Sequence, residues 1–225
     1  MRSILPQVLI FTFLLHALHA SAAERQFYQA SSPRWLEAIG TLTVPGHRFV
    51  DGDRQAHVED CSATLIHPRI VLTAWHCLEN YRDLSKEIQF ELPMSQGRES
   101  RTARVVASGD HISADWALLR LAQPIEGTEP LLVANTTVEQ SAWLAGYSQA
   151  GPDGSRTLSW YKDCVTRPDG RRQFASDCGA SKGDSGGPLL LGKSVVGVIS
   201  VGDGASLTYS VASQAFIAAV RLHAR

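Results

Sequence analysis

The chain has no block of one charge. Its 21 lysines and arginines balance 22 aspartates and glutamates, and no basic stretch offers a track for a phosphate backbone, which argues against a nucleic-acid partner. It has no apolar run long enough to cross a bilayer, since Val8 to Leu15, broken only by Thr12, is too short. No cysteine pair shows the C-x₂-C spacing usual at zinc sites, so a metal-held fold is set aside. Low-complexity tracts and internal repeats are absent too.

What is present begins with a targeting pattern. Arg2 gives a short positive start, the Val8–Leu15 run follows, and Ala20-Ser21-Ala22-Ala23 supplies the small residues of a cleavage site. Residues 1–23 read as a signal peptide, with the mature chain beginning near Ala23 or Glu24 and being secreted or periplasmic. No cysteine at that site indicates a lipid anchor, so no membrane attachment is expected after cleavage. The four cysteines suit an oxidising compartment. Three pairings are possible, and the local one joins Cys61 to Cys77 and Cys164 to Cys178, each closing a loop worth about 3 kcal/mol.

Strand signals dominate the rest. "CSATLI" and "RIVLTA" flank the turn-prone His67-Pro68, and "WALLRL", "SAWLAGY", "GPLLL" and "SVVGVISV" are short apolar runs bounded by Gly, Pro or polar clusters. One segment differs. In "SQAFIAAVRLHA", residues 213–224, Phe216, Ile217 and Val220 fall at helical spacing behind Ser213, a candidate cap. Many short strands closed by a terminal helix suggest β barrels or a sandwich. A soft boundary falls at "AQPIEGTEP", residues 122–130.

The chemistry lies in three places. "VLTAWHC" holds His76, "DWALLRL" opens on Asp115, and "GDSGGP" sets Ser185 in a glycine-rich turn where a substrate can come close. Alone, each has a plainer meaning: a packed histidine, a strand-end acid, a turn. Jointly, in the order His, Asp, Ser, they resemble the trypsin/chymotrypsin-like serine proteases. The segment "CSATLIHPRIVLTAWHC", the strand "DWALLRL", the motif "GDSGGPL" and the later "VVGVISVG" all resemble that family's, in order. His47, His57, His67, His111 and His223 have nothing in the sequence that places them near such a site. "GDSGG" also fits the G-x-S-x-G elbow of α/β-hydrolases, with Asp203 and His223 following. That elbow opens a helix, however, and strands follow here.

The resemblance implies an all-β fold of two six-stranded Greek-key barrels of the chymotrypsin type with a C-terminal helix. Residues 24–225 then form one peptidase domain, with barrel one at about 35–122, barrel two at about 131–212 and the helix at about 213–224. It implies Ser185 as nucleophile, His76 as general base and acid, Asp115 as orienter of the imidazole, and the N–H groups of Gly183 and Ser185 as the oxyanion hole. Gly179, at the base of the primary pocket, with Ser200 and Gly202 on the cleft strand, would bind substrate. No metal or organic cofactor is implied. Protein or peptide substrates are the expected partners of a monomeric chain. The other reading is a non-catalytic binding protein on the same fold.

The chain also departs from the family. The activation sequence Ile-Val-Gly-Gly is absent and "SPRWLEAIGTL" stands in its place, in the style of compact secreted bacterial members, the glutamyl-endopeptidase branch included. Trp75 replaces a small residue before the histidine. Asp184, a carboxylate buried beside the oxyanion loop, needs a partner. Without a new N-terminal amine, that partner is expected to be an internal Lys or Arg, or hydrogen bonds. An uncharged Gly179, with Leu207 narrowing the pocket, favours small or medium apolar side chains over Lys and Arg, unless Asp177 reaches the pocket instead. Asn135-Thr136-Thr137 is a glycosylation sequon.

Overall fold

The computed structural model describes residues 23–81, 86–93, 98–109, 114–136, 140–149, 151, 154–170 and 172–225. The expected signal peptide up to residue 22, His111 and Thr137 of the sequon lie outside the described residues.

Strands β2 (Ile39–Val50), β3 (Asp53–His67), β4 (Ile70–Thr73), β5 (Ile88–Leu92), β6 (Glu99–Ser108) and β7 (Ala117–Leu121) close into a first antiparallel barrel in the order β2-β3-β4-β7-β6-β5. β4 and β7 are apolar almost throughout and buried on both faces, whereas β5 alternates. In β5, Ile88, Phe90 and Leu92 point into the core while Gln89 and Glu91 are half-buried. The β2–β3 hairpin turns on Asp51-Gly52, both at positive φ (53° and 90°). That suits a two-residue turn, for which Asp-Gly is a preferred pair.

The second barrel is built from β9 (Gln140–Ser148), β10 (Thr157–Pro168), β11 (Gln173–Ser176), β12 (Pro188–Leu191), β13 (Ser194–Gly202) and β14 (Thr208–Ala212), paired antiparallel as β9-β10-β11-β14-β13-β12 and back to β9. Two short strands lie outside the ring. β1 (Gln26–Phe27) adds to the edge of β10, and β8 (Leu132–Val133) runs parallel to β13. The fold class expected from the resemblance is the one observed.

Both local cysteine pairs are joined, Cys61 to Cys77 and Cys164 to Cys178. The first ties β3 to the short 3₁₀ turn His76–Leu78, so the histidine sits on a stapled corner. The terminal segment is helical in two pieces, a 3₁₀ turn at Ser213–Ala215 and α1 (Ile217–His223). Ser213 does not cap α1, and its hydroxyl instead donates to the Ala134 carbonyl at 2.7 Å.

The terminal helix packs across to the first barrel. Phe216 is fully buried with its ring 6.1 Å from that of Trp116, and Arg120 donates to the His223 carbonyl at 3.1 Å. Phe216→Ala therefore leaves a cavity under both barrels. It is expected to lower the unfolding free energy by about 3–5 kcal/mol, while Leu222→Ala, exposed at 65 %, stays within about 0.5 kcal/mol. Equilibrium denaturant unfolding of the two variants measures the difference.

Candidate active site

The three residues singled out in the sequence come from three corners. His76 follows β4 on the stapled 3₁₀ turn, Asp115 precedes β7, and Ser185 precedes β12. The first two belong to barrel one and the third to barrel two, so the site lies in the cleft between them. Asp115 is 5 % exposed. Its Oδ2 receives the Nδ1–H of His76 at 2.7 Å and its Oδ1 receives the backbone N–H of His76 at 2.8 Å. The hydroxyl of Ser200 also donates to Oδ2. β13 is bulged there, between Ile199 and Val201, which turns the hydroxyl toward the acid.

This set of bonds fixes the tautomer. With the proton on Nδ1, the other ring nitrogen is an acceptor. Burial pulls the imidazole down, but the hydrogen bond and charge of Asp115, with Glu59 and Glu79 behind it, carry its pKa above the ordinary 6.5. Burial pushes the Asp115 carboxyl up, and its bonds from His76 and Ser200 outweigh that and leave it below the ordinary value.

Ser185 is held from the opposite barrel. Its carbonyl accepts from Ser62 N–H at 2.8 Å and lies 4.0 Å from Cys77 Sγ. His76 Nε2 sits 3.9 Å from the same sulfur. Among the described residues, Ser185 Oγ has no hydrogen bond, so the link from serine to imidazole is open in this state. Such links often tighten only when substrate binds.

The loop before Ser185 supplies donors. The N–H groups of Asp184, Gly186 and Gly187 are taken by the carbonyls of Ser181, Ile199 and Asp184. Those of Gly183 and Ser185 are taken by no backbone carbonyl among the described residues. Gly183 has φ +97°, and a Cβ there would lie 2.5 Å from the Tyr147 carbonyl, so only glycine fits without strain. The buried Ser62 hydroxyl braces this loop. It donates to the Gly183 carbonyl and accepts from Tyr147 N–H, both at 2.7 Å.

Asp184 is 3 % exposed. Burial pushes its carboxyl up, opposed by Arg25 and by the Ser181 N–H. Arg25 Nη2 meets Oδ2 at 2.8 Å. The expected internal cation is thus found, in the segment just ahead of β1. Sequence reasoning did not single out Arg25, Ser62, or the bond from Ser200 to the acid. The only clue to Arg25 was a lone cation in "AAERQF" with no other evident use.

Two of the residues expected to bind substrate, Gly179 and Gly202, are closely walled by neighbouring backbone. Gly179 is buried, and a Cβ on it would lie 2.4 Å from the backbone N and C of Ala205. A Cβ on Gly202 would lie 2.4 Å from the Ala180 carbonyl, which already accepts Gly204 N–H at 3.0 Å. Thr208 bridges the same wall, accepting from Ala180 N–H at 2.7 Å and donating to the Cys178 carbonyl. Asp177 is exposed and receives Val165 N–H at 2.7 Å, so it does not reach this pocket. Leu207 stays about one-third exposed at the end of a tight turn organised by Asp203.

The other described histidines have partners of their own: His57 on Glu59, His47 with Arg54, His67 with Arg69 N–H, and His223 through its carbonyl. Cys61 and Cys77 approach His76 closely enough to suggest ligands, but their sulfurs are spent on each other.

The sequence profile of the Trypsin family matches residues 43–219. Among solved structures the chain is similar to that of GrC, with TM-score 0.66 and 20 % identity, covering 85 % of this chain and 95 % of that one. It is also similar to an inactivated protease paralogue of the scabies mite, S-I1, with TM-score 0.65 and 13 % identity over 87 % of this chain and 97 % of that one.

The raised imidazole sets a pH test. A base must be neutral to accept a proton, so any hydrolysis that uses His76 as its base is expected to slow as pH drops through a value above 6.5. Asp115→Asn removes what holds that pKa up, so the acid limb moves to lower pH while kcat drops about 10⁴-fold through the wrong tautomer. Paired pH–rate profiles read both.

Proposed function

Because the chain belongs to the trypsin family, we propose that it is a secreted or periplasmic serine endopeptidase acting through Ser185, His76 and Asp115. The observation that carries this reading is the doubly bonded His76–Asp115 pair, together with a Ser185 loop in which the N–H groups of Gly183 and Ser185 are taken by no backbone carbonyl among the described residues. In the proposed reaction, Ser185 Oγ attacks the scissile carbonyl carbon as its proton passes to His76 Nε2. The oxygen that becomes negative is received by the N–H groups of Gly183 and Ser185, and each such donor is worth about 2.7–4 kcal/mol of barrier. The imidazolium then returns the proton to the leaving amine as the C–N bond breaks. Water repeats the sequence on the acyl-enzyme, giving the acid and free Ser185. This chemistry calls on no metal or organic cofactor. The partners are protein or peptide substrates, met by a monomer free of membrane and nucleic acid.

The touching walls around Gly179, Ala180, Gly202 and Ala205 support a shallow, uncharged primary pocket. A substrate Lys or Arg buried there would lose its hydration without a counter-charge. The rival reading, a binding protein that has lost catalysis, draws its support from the open Ser185–His76 link and from the likeness to an inactivated paralogue. Against it, the proposed nucleophile, base, acid and oxyanion-loop residues are all intact.

One assay separates these readings. Two peptide substrates identical except for Ala or Arg before the scissile bond are incubated with the wild-type chain and with Ser185→Ala. Cleavage of the Ala peptide, abolished in Ser185→Ala and at least about tenfold faster than that of the Arg peptide, is the expected outcome. Equal turnover by the two proteins removes Ser185 as nucleophile, and preference for Arg removes the pocket reading.

A further inference from the structure

A group of uncompensated charges lies on barrel one, outside the proposed cleft. On β6 and β7, Ala103 and Leu121 are opposite one another and share the inward face with Ile88. The next pair in the ladder, Arg104 and Arg120, therefore points outward, both side chains on one face. Like charges set directly opposite one another in a sheet repel. Among the described residues no carboxylate relieves this pair. Arg104 is exposed and bonded to nothing, and Arg120 gives one Nη2–H to the His223 carbonyl at 3.1 Å.

A third guanidinium joins them. Arg69, exposed on the turn between β3 and β4, gives one Nη1–H to the Ala122 carbonyl at 3.4 Å. With Thr102 and Glu87, the three arginines line an open groove of about 400 Å³. Three cations against the one carboxylate of Glu87 leave a net charge of +2 on the described lining. Glu87 itself forms no ion pair among the described residues. The positive field reaches beyond the groove, since burial and the charge of Arg120 hold the His67 imidazole below its ordinary 6.5. Each guanidinium carries five N–H donors in a planar fork. The bonds to carbonyls orient Arg69 and Arg120 at the cost of one donor each, and Arg104 spends none.

We propose that this groove binds a tetrahedral dianion, a sulfate or phosphate group, held by Arg69, Arg104 and Arg120. Forked donors meet the oxygens of such a group two at a time, and the Thr102 hydroxyl adds a neutral donor. A charge of −2 matches the +2 of the lining, whereas a single carboxylate leaves half of it unanswered. The groove is larger than one such ion, so a free ion and an ester on a larger ligand share this chemistry. Its place separates it from the proposed catalysis. The β4–β7 ladder runs from Ile70–Arg120 at the groove to Thr73–Ala117 at the end that leads to His76 and Asp115. The site therefore stands or falls independently of whether the chain cleaves peptides.

The test is an amide-resolved NMR titration of the secreted protein with sodium sulfate, inorganic phosphate and a sulfated monosaccharide, with sodium chloride holding the ionic strength constant. Saturable shifts are expected at the amides of residues 69, 102–104 and 120–122, and none with chloride alone. Arg104→Gln is expected to weaken binding about tenfold. Because Arg104 makes no bond in the unliganded protein, the rest of its spectrum should stay as in wild type. Glu87→Gln should tighten binding, and Arg34→Gln, which removes an exposed arginine elsewhere, should leave it unchanged. Tighter binding of the sugar sulfate than of sulfate supports an ester ligand, and equal binding supports the free ion. The absence of a saturable shift with all three anions overturns the proposal. So does binding that Arg104→Gln leaves intact, or that Glu87→Gln weakens.

Discussion

A carboxylate sealed from water one residue before the proposed nucleophile sets the terms for the rest of this structure. Asp184 cannot leave its pocket without moving Gly183 and Ser185, and it cannot stay without compensation. Compensation comes from a guanidinium whose donors are also spent on Gly179, Ser181, Ser148, Ser159 and Tyr161. A planar fork with many donors can tie a loop to a wall in this way, where a point-like ammonium holds fewer partners at once. Because a guanidinium keeps its proton throughout the working range, the pairing does not depend on pH from the cation's side.

The two barrels divide the labour around that pairing. Barrel one presents the proposed base and its acid on a corner stapled by the Cys61–Cys77 bond, and barrel two presents the proposed nucleophile and the N–H groups of Gly183 and Ser185, which no backbone carbonyl takes among the described residues. The division works only if the barrels cannot slide. Ser62 of barrel one clasps both Gly183 and Ser185 through backbone and hydroxyl, Ser200 of barrel two returns a bond to Asp115, and Phe216 is wedged against Trp116. Rigid strands thus place mobile chemistry on loops, the usual arrangement for precise sites.

Much of this was legible in the sequence. The glycine pattern around Ser185 announced a tight turn, and Gly183 proves to need φ +97°. The local one of three possible cysteine pairings is the one formed, and the short apolar runs marked β4 and β7, the strands that lead to His76 and follow Asp115. Other parts were not readable. The β2–β3 hairpin extends well past the first barrel on an Asp-Gly turn that was available as a signal but unused. The roles of Arg25 and Ser62 depend on partners 159 and 121 residues away, and no local pattern encodes such pairings. The enclosure of Gly179 by Ala205 is a tertiary fact, set by how Asp203 folds the 203–207 turn.

The central claim is the proposed one, that Ser185 is an activated nucleophile in a chain whose Asp184 is paired with Arg25. The direct measurement is reaction of the secreted protein with a fluorophosphonate probe, followed by intact-mass analysis and sequencing of the labelled molecules. The account predicts one adduct per chain, on Ser185, in molecules that begin near Ala23 or Glu24 and retain Arg25. Labelling confined to molecules that begin beyond Arg25, for instance behind Arg34, would contradict it.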